Sequence, residues 1–315
     1  MRKQLVSNLV LLVLLVVMFG VGPFFYSNES VLFEAMMYLV LAQGINILYG
    51  FTGYLPFGYV GFFGAGAYGA SLAILDLHVP ALLAVLIGGI FAAVIGLILT
   101  PLLRLSGAYF AIGSLAASKI LYYIISNPNM KSVTNGPYGI DLSNVFSDMT
   151  SYYTMFAIMV LAFVFVMYIR SSNLGMSLLA IRDDSVSAAM AGVKVVQTRV
   201  IAWLVSAFFG GLVGAAYGWH ISVFYPDSVF DLAISIFAIV FTLFGGRASV
   251  WGPFIGTIIL YGLYTYIGVS DPQYFQLIYG VLIVVLVLFL PKGLMSLVER
   301  IRTRRVVAKG GLAHE

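Results

Sequence analysis

Apolar blocks of about twenty residues, separated by short polar breaks, run along almost the whole chain. Blocks of that length match the roughly 30 Å hydrocarbon core of a bilayer at 1.5 Å rise per residue. Val, Leu, Ile and Phe fill them without the two-residue alternation of a barrel strand, so backbone groups at membrane depth must be satisfied within helices. The pattern predicts spans at 5–25, 31–49, 56–75, 79–100, 106–125, 152–169, 200–222, 229–244, 251–269 and 273–290. The expected fold class is an all-α polytopic membrane protein with about ten transmembrane helices. It is organised as a single transmembrane domain over 1–295 with a basic tail over 296–315. The first apolar run follows Arg2 and Lys3, as in a signal peptide. It continues through Gly22 and Phe25 with no small-x-small cleavage site, and so reads as a span.

Two breaks are long enough to hold structure of their own. In 126–151, Asn127, Pro128, Asn135, Gly136, Pro137 and Gly139 predict an ordered loop with little helix. In 170–199, the stretch Met176–Met190 has neither Pro nor Gly, and Leu178, Ile181 and Ala189 fall near one helical face with Arg182, Asp183 and Asp184 midway. That predicts one short amphipathic helix, with Gly192 as its terminator.

Composition agrees: 62% of the 315 residues are hydrophobic and 9% charged, against roughly a quarter charged in soluble domains. The net charge of +4 follows from membrane orientation. With the N-terminus in the cytoplasm, Arg2, Lys3, Arg104, Arg170, Arg182, Lys194, Arg199, Arg247, Lys292, Arg300, Arg302, Arg304, Arg305 and Lys309 all fall inside, leaving Lys119 and Lys131 of the 16 basic residues. Glu29, Asp76, Asp141, Asp148, Asp227, Asp231 and Asp271 map outside. The positive-inside rule is thereby met with both termini cytoplasmic, and a missed helix would invert every later loop. Nothing in this charge distribution calls for nucleic acid. There is no cysteine, and the three His, at 78, 220 and 314, are scattered, so no metal site is expected. The chain has no G-x-x-x-x-G-K-[ST] loop and no relay of intramembrane carboxylates, so neither nucleotide hydrolysis nor proton pumping is expected of it. Catalytic residues are expected to be absent.

Glycine is the densest local feature. Gly53, Gly58, Gly61, Gly64 and Gly66 crowd one segment, and Gly245, Gly246 and Gly252 another; LYGFTGYLPFGYVGFFGAGAY (48–68) and LFGGRASVWGPFIGT (243–257) share paired glycines and a proline. Small residues at such spacing permit close helix approach, or break a helix where its carbonyls line a cavity. Arg247 reads as an anchor at a tight turn. Lys119, within a span, either binds a substrate carboxylate or snorkels, and Glu34 could pair with it. Gln43 and Asn46 share a helix face and either line a polar pathway or bond to a neighbouring helix. Trp219 and His220 read as interfacial.

The segments 53–68, LRLSGAYFAIGSLAASKI (103–120), VTNGPYGI (133–140), NLGMSLLAIRDDSVSAAMAGVKV (173–195) and FGGRASVWGPFIGT (244–257) resemble, in order and spacing, the LivM-type permease subunits of branched-chain amino-acid ABC importers. The resemblance runs from about 35 to 295. It implies a permease domain over 1–295 in a prokaryotic inner membrane, moving branched-chain or related apolar amino acids. The implied partners are a LivH-like second permease, two cytoplasmic ATPases that carry the ATP and Mg, and an extracytoplasmic binding protein. It also implies that Gly175, Arg182, Asp183, Asp184 and Gly192 belong to an ATPase-coupling loop. Pro56 and Tyr59 depart from the Ser and His common in the family's first glycine block. Similar permeases carry urea, amides or nucleosides, and a self-sufficient secondary transporter or channel is the alternative class.

Overall fold

The computed structural model describes residues 2–25 and 28–270, with the further positions 277, 280, 281, 284 and 294. Apart from those positions, the tenth predicted span and the basic tail lie outside the described residues. The element order is α1 (Arg2–Phe25), α2 (Glu29–Ile45), a π turn (Asn46–Gly50), α3 (Val60–Leu75), α4 (Ala81–Ile98), α5 (Gly107–Ile125), α6 (Lys131–Thr134), β1 (Ile140–Asp141) and α7 (Asp148–Ser171). It continues with α8 (Asn173–Asp183), α9 (Ser185–Met190), α10 (Val195–Ile221), β2 (Val223–Phe224), α11 (Pro226–Val229), α12 (Leu232–Gly245) and α13 (Gly252–Ser270).

The protein is a helical, multi-pass membrane protein. Among the described residues, six segments are long and apolar enough to cross a bilayer: Glu29–Gly50, Ala81–Ile98, Gly107–Ile125, Asp148–Ser171, Val195–Ile221 and Pro226–Gly245. Leu12–Phe25 and Val60–Leu75 are shorter apolar helices. They fall within the predicted spans 5–25 and 56–75, and α13 fills the ninth. The third span starts later than expected. Residues 53–59 are irregular and the helix begins at Val60, because Gly53 sits at φ +83° and Pro56 disfavours helix at the residue before it.

Helix α2 is the axis of the molecule. From Ala35 to Leu48 every residue is buried, Gln43 and Asn46 among them, whose polar side chains need protein partners at membrane depth. It packs against α1, α7, α10, α12 and α13. Helix α4 instead turns Leu82, Leu86, Ile90, Val94 and Leu97 outward, a face fit for lipid. Helices α3, α4 and α10 meet at backbone distance. A Cβ built on Gly66 would stand 2.0 Å from the Gly211 carbonyl oxygen, and one on Gly88 2.5 Å from that of Gly66. Where the backbones nearly touch, dispersion and weak hydrogen bonds replace the hydrophobic drive that lipid cannot supply.

Buried side chains bond across this core. The Tyr59 hydroxyl donates to the Ser206 carbonyl at 2.7 Å, Ser206 to that of Gly44 at 2.8 Å, and Thr242 to that of Ala42 at 3.0 Å.

The loop after α5 is ordered by short 3₁₀ turns and by the antiparallel pairing of β1 with β2, Ile140 opposite Phe224. Trp219 and His220 turn inward and do not form a surface belt. Trp219 donates to the Val145 carbonyl at 2.9 Å, and His220 stacks on Phe33 at 3.8 Å with Ser151 bonded to its Nδ1 at 2.8 Å. The neighbouring loop and the start of α7 offer these polar edges partners that a lipid interface would not.

Candidate functional site

Helices α8 and α9 project between α7 and α10 at the end of the molecule where arginines gather. One helix was expected here; there are two, parted at Asp184, which is extended at φ −156°, ψ 114°. Its carboxylate accepts from the Val186 amide at 3.0 Å, the Ser187 amide at 3.2 Å and the Ser187 hydroxyl. An aspartate that satisfies the first amides of a new helix competes with continuation of the old one. The break shifts the helical phase, so the buried residues are Leu178, Ile181 and Ala188, and Ala189 faces outward. These bonds from Ser187 and Val186 hold the Asp184 carboxyl below the usual carboxylate range.

The hairpin is anchored at both ends. Ser172 caps α8 by accepting from the Gly175 amide at 3.3 Å. A Cβ on Gly175 would lie 2.1 Å from the Ile169 carbonyl oxygen, so only glycine lets α8 fold back so closely on α7. At the far end, Gly192 (φ +88°) donates to Ala189 and Val193 to Ala188, both at 3.0 Å. This is a Schellman terminus.

Arg182 links the hairpin to the axis. Its Nη1 donates to the Gly50 carbonyl at 3.0 Å, at the C-terminal end of the π turn, where a cation meets unsatisfied carbonyls and the negative end of the helix dipole. Asp183 pairs with Arg182 at 3.3 Å on the exposed side. Such exposed pairs contribute little by themselves.

The turn between α12 and α13 completes the cluster. Asn46 accepts from the Ala248 amide and donates to the Ser249 carbonyl, each at 2.8 Å, and Gln43 donates to the Val250 carbonyl at 2.8 Å. Arg170 of α7 donates to the Ala248 carbonyl, and Arg247 lies over the Tyr49 ring at 5.8 Å. Ala248, held from both faces, adopts φ +60°, and Gly50 has no room for a Cβ, which would meet the Asn46 Oδ1 at 2.1 Å. The two glycine-proline segments of similar sequence thus pack on each other.

Among the pathway candidates, Gln43 and Asn46 are therefore fully buried and bonded to this turn. Lys119 is distant from both: it is exposed on α5 with its ammonium 5.3 Å from the Tyr122 ring. Glu34 bonds to Tyr261, an aromatic partner 227 residues away that sequence could not suggest. Gly58, Gly61 and Gly64 lie against Ser114, Ser118 and Phe230, and Gly245 against Gly252, each too close for a Cβ without movement. Gly53 and Gly246 instead take positive φ. Arg170 was legible only as a charge at a helix end; its bond to a turn 78 residues away leaves no local signal.

Several large apolar side chains of the 170–199 segment are exposed. Met176, Val186, Met190 and Val196 are 60–79% exposed. Beside it, Gly53, Leu55, Phe57, Gly107, Ala108 and Ala111 line a groove of about 480 Å³. The α8–α9 segment thus touches α7 at Gly175 and α2 at Gly50, and Asn46, four residues before Gly50, bonds to the α12–α13 turn.

The model of the family described as "Branched-chain amino acid transport system / permease component" matches residues 27–287. The chain is 27% identical to the high-affinity branched-chain amino acid transport system permease protein LivM of Escherichia coli (strain K12). That alignment covers 97% of this chain and 79% of the relative. The LivM protein of Salmonella typhimurium (strain LT2) is 26% identical, over 96% of this chain and 79% of its own length. No solved structure shows a significant match.

Proposed function

The chain belongs to the family of branched-chain amino acid transport system permease components, and from that premise we propose that it is the membrane-spanning subunit of an ATP-driven importer for branched-chain or related apolar amino acids. The observation that carries the reading is the family match over 27–287. The α8–α9 hairpin, bonded to the central helix and carrying exposed Met176, Val186 and Met190, supports it. The chain is a transport part and not a catalyst. Its positive-inside pattern supports about ten crossings with both termini in the cytoplasm, in the inner membrane of a prokaryote. The 1–295 region is the permease domain.

The hairpin then seats in a groove on a cytoplasmic ATPase, and nucleotide-driven closure moves α7, α2 and the α12–α13 turn together. A bistable bundle suffices for this, with no side-chain chemistry on the solute. Gly175 and Gly192 set the hairpin's ends, Asp184 its bend, and Arg182 with Asp183 its charged edge. A LivH-like permease supplies the other half of the pathway, two ATPases hold ATP and Mg, and an extracytoplasmic protein delivers the solute.

The chain has no cysteine, so a single Met190→Cys offers one attachment point on the exposed hairpin. Bifunctional maleimide-amine reagents are expected to join it to an ATPase subunit in the assembled complex, in a nucleotide-dependent way. Absence of that product, with uptake intact, contradicts the docking role.

A further inference from the structure

We propose that Glu34, among Tyr38, Tyr217, Tyr261 and Tyr264, holds the ammonium group of the transported amino acid; the proposal rests on the importer reading above. Among the described residues, Glu34 is the one carboxylate in the body of a membrane-spanning helix. Glu29 and Asp148 open α2 and α7, Asp183 closes α8, Asp227 and Asp231 lie at the start of the α11–α12 segment, Asp141 is in β1, and Asp76 and Asp184 lie in connections. Glu34 stands five residues into α2, about 7.5 Å along its axis. A carboxylate there costs free energy unless function keeps it.

Its surroundings are those of a cation site. The Tyr261 hydroxyl donates to Oε2 at 2.9 Å, and the carboxylate is only half buried. Tyr38, Tyr217 and Tyr264 lie within its electrostatic reach. Ring centroids of Tyr38 and Tyr261 are 5.6 Å apart, those of Tyr261 and Tyr264 6.0 Å, and those of Tyr264 and Phe237 5.3 Å. Among the described residues no Lys or Arg pairs with Glu34; Lys119 is on α5, over Tyr122. A carboxylate bonded to one of a cluster of packed aromatic rings can attract an ammonium by charge, with the ring quadrupoles beside it adding to the pull.

The neighbouring space suits the rest of the molecule. Tyr261 also lines a groove of about 490 Å³ between α1, α2 and α13, whose other walls include Phe19, Val31, Leu32, Ala35 and Ile258. An aliphatic side chain lies there while its ammonium meets Glu34. A zwitterion leaving water must have its cationic end compensated, and this carboxylate is placed to do it on the outer half of the central helix.

The test uses the complete complex in vesicles, with leucine on saturating binding protein. Glu34→Gln keeps the acceptor for Tyr261 and removes the charge. Leucine uptake is expected to fall at least tenfold with assembly intact, and Glu34→Asp is expected to restore part of it. Uptake equal to that of the unsubstituted complex overturns the proposal. Should Glu34→Gln fail to assemble, Tyr264→Phe against Tyr264→Leu decides: the ring variant retains uptake and the aliphatic one loses it at least threefold. Equal uptake by the two overturns the proposal. If the unsubstituted complex itself moves no leucine, it is the importer reading that fails.

Discussion

Arg182 of α8 donates to the main-chain carbonyl of Gly50 at 3.0 Å, so a segment between two candidate membrane spans is bonded to the end of the central helix. The bond lies where α2 has wound into a π turn, a geometry with spare carbonyls that often accompanies function. Replacing Arg182 with Met removes a charged hydrogen bond, commonly about 1.5–3 kcal/mol. Uptake per ATP hydrolysed is expected to drop roughly tenfold or more, with Arg182→Lys intermediate. Uptake and phosphate release measured on the same vesicles decide it, and an unchanged ratio contradicts the link.

At Gly175 the constraint is steric. A Cβ 2.1 Å from the Ile169 carbonyl oxygen cannot be accommodated without opening the α7–α8 corner, so Gly175→Leu is expected to leave membrane insertion normal and to uncouple hydrolysis from uptake. Protease mapping of the loops reports insertion, and substrate uptake reports coupling. Wild-type uptake in that variant refutes the corner's role.

Asn46 predicts a stability effect. Asn46→Ala orphans the Ala248 amide and the Ser249 carbonyl, at about 1–3 kcal/mol for each buried group left unpaired. Thermal unfolding in detergent is expected several degrees lower. Asn46→Asp, which keeps the acceptor and sets an oxygen against the Ser249 carbonyl, also destabilises. An unshifted transition in both variants contradicts the clamp.

Asp184 predicts a pH effect. Its folded carboxyl is held below the ordinary value by Ser187 and Val186, so the cap is fully present above the ordinary carboxylate range and is lost as pH falls through the lowered value. Hydrogen exchange at the Val186 and Ser187 amides is expected to lose protection in acid. Asp184→Asn, which cannot titrate, should abolish that dependence. Acid-insensitive protection in the native chain contradicts the assignment.

The sequence carried the helical class, the apolar blocks and the projecting segment, because each rests on local spacing. Leu178 and Ile181 were readable as one face. Ala188 was not, since a helix assumed continuous through Asp184 keeps the wrong phase beyond it. The Asp-Ser-Val-Ser run was the available cue, an aspartate followed by hydroxyls suited to an N-cap. Gln43 and Asn46 could be seen as buried polar residues on one helix, but their partners at 248–250 lie some two hundred residues on and no pattern joins them. The same distance hid Glu34 and Tyr261. Trp219 and His220 misled because aromatic and polar residues near a helix end usually mark an interface, while here Val145, Ser151 and Phe33 supply buried partners.

The central claim is that this chain translocates solute only when ATPases drive it. Leucine uptake into vesicles tests it most directly, comparing this chain alone on an ion gradient with this chain plus second permease, ATPases and loaded binding protein, with and without ATP. Uptake confined to the complete, ATP-supplied vesicles is predicted; uptake by the chain alone on the gradient contradicts the account.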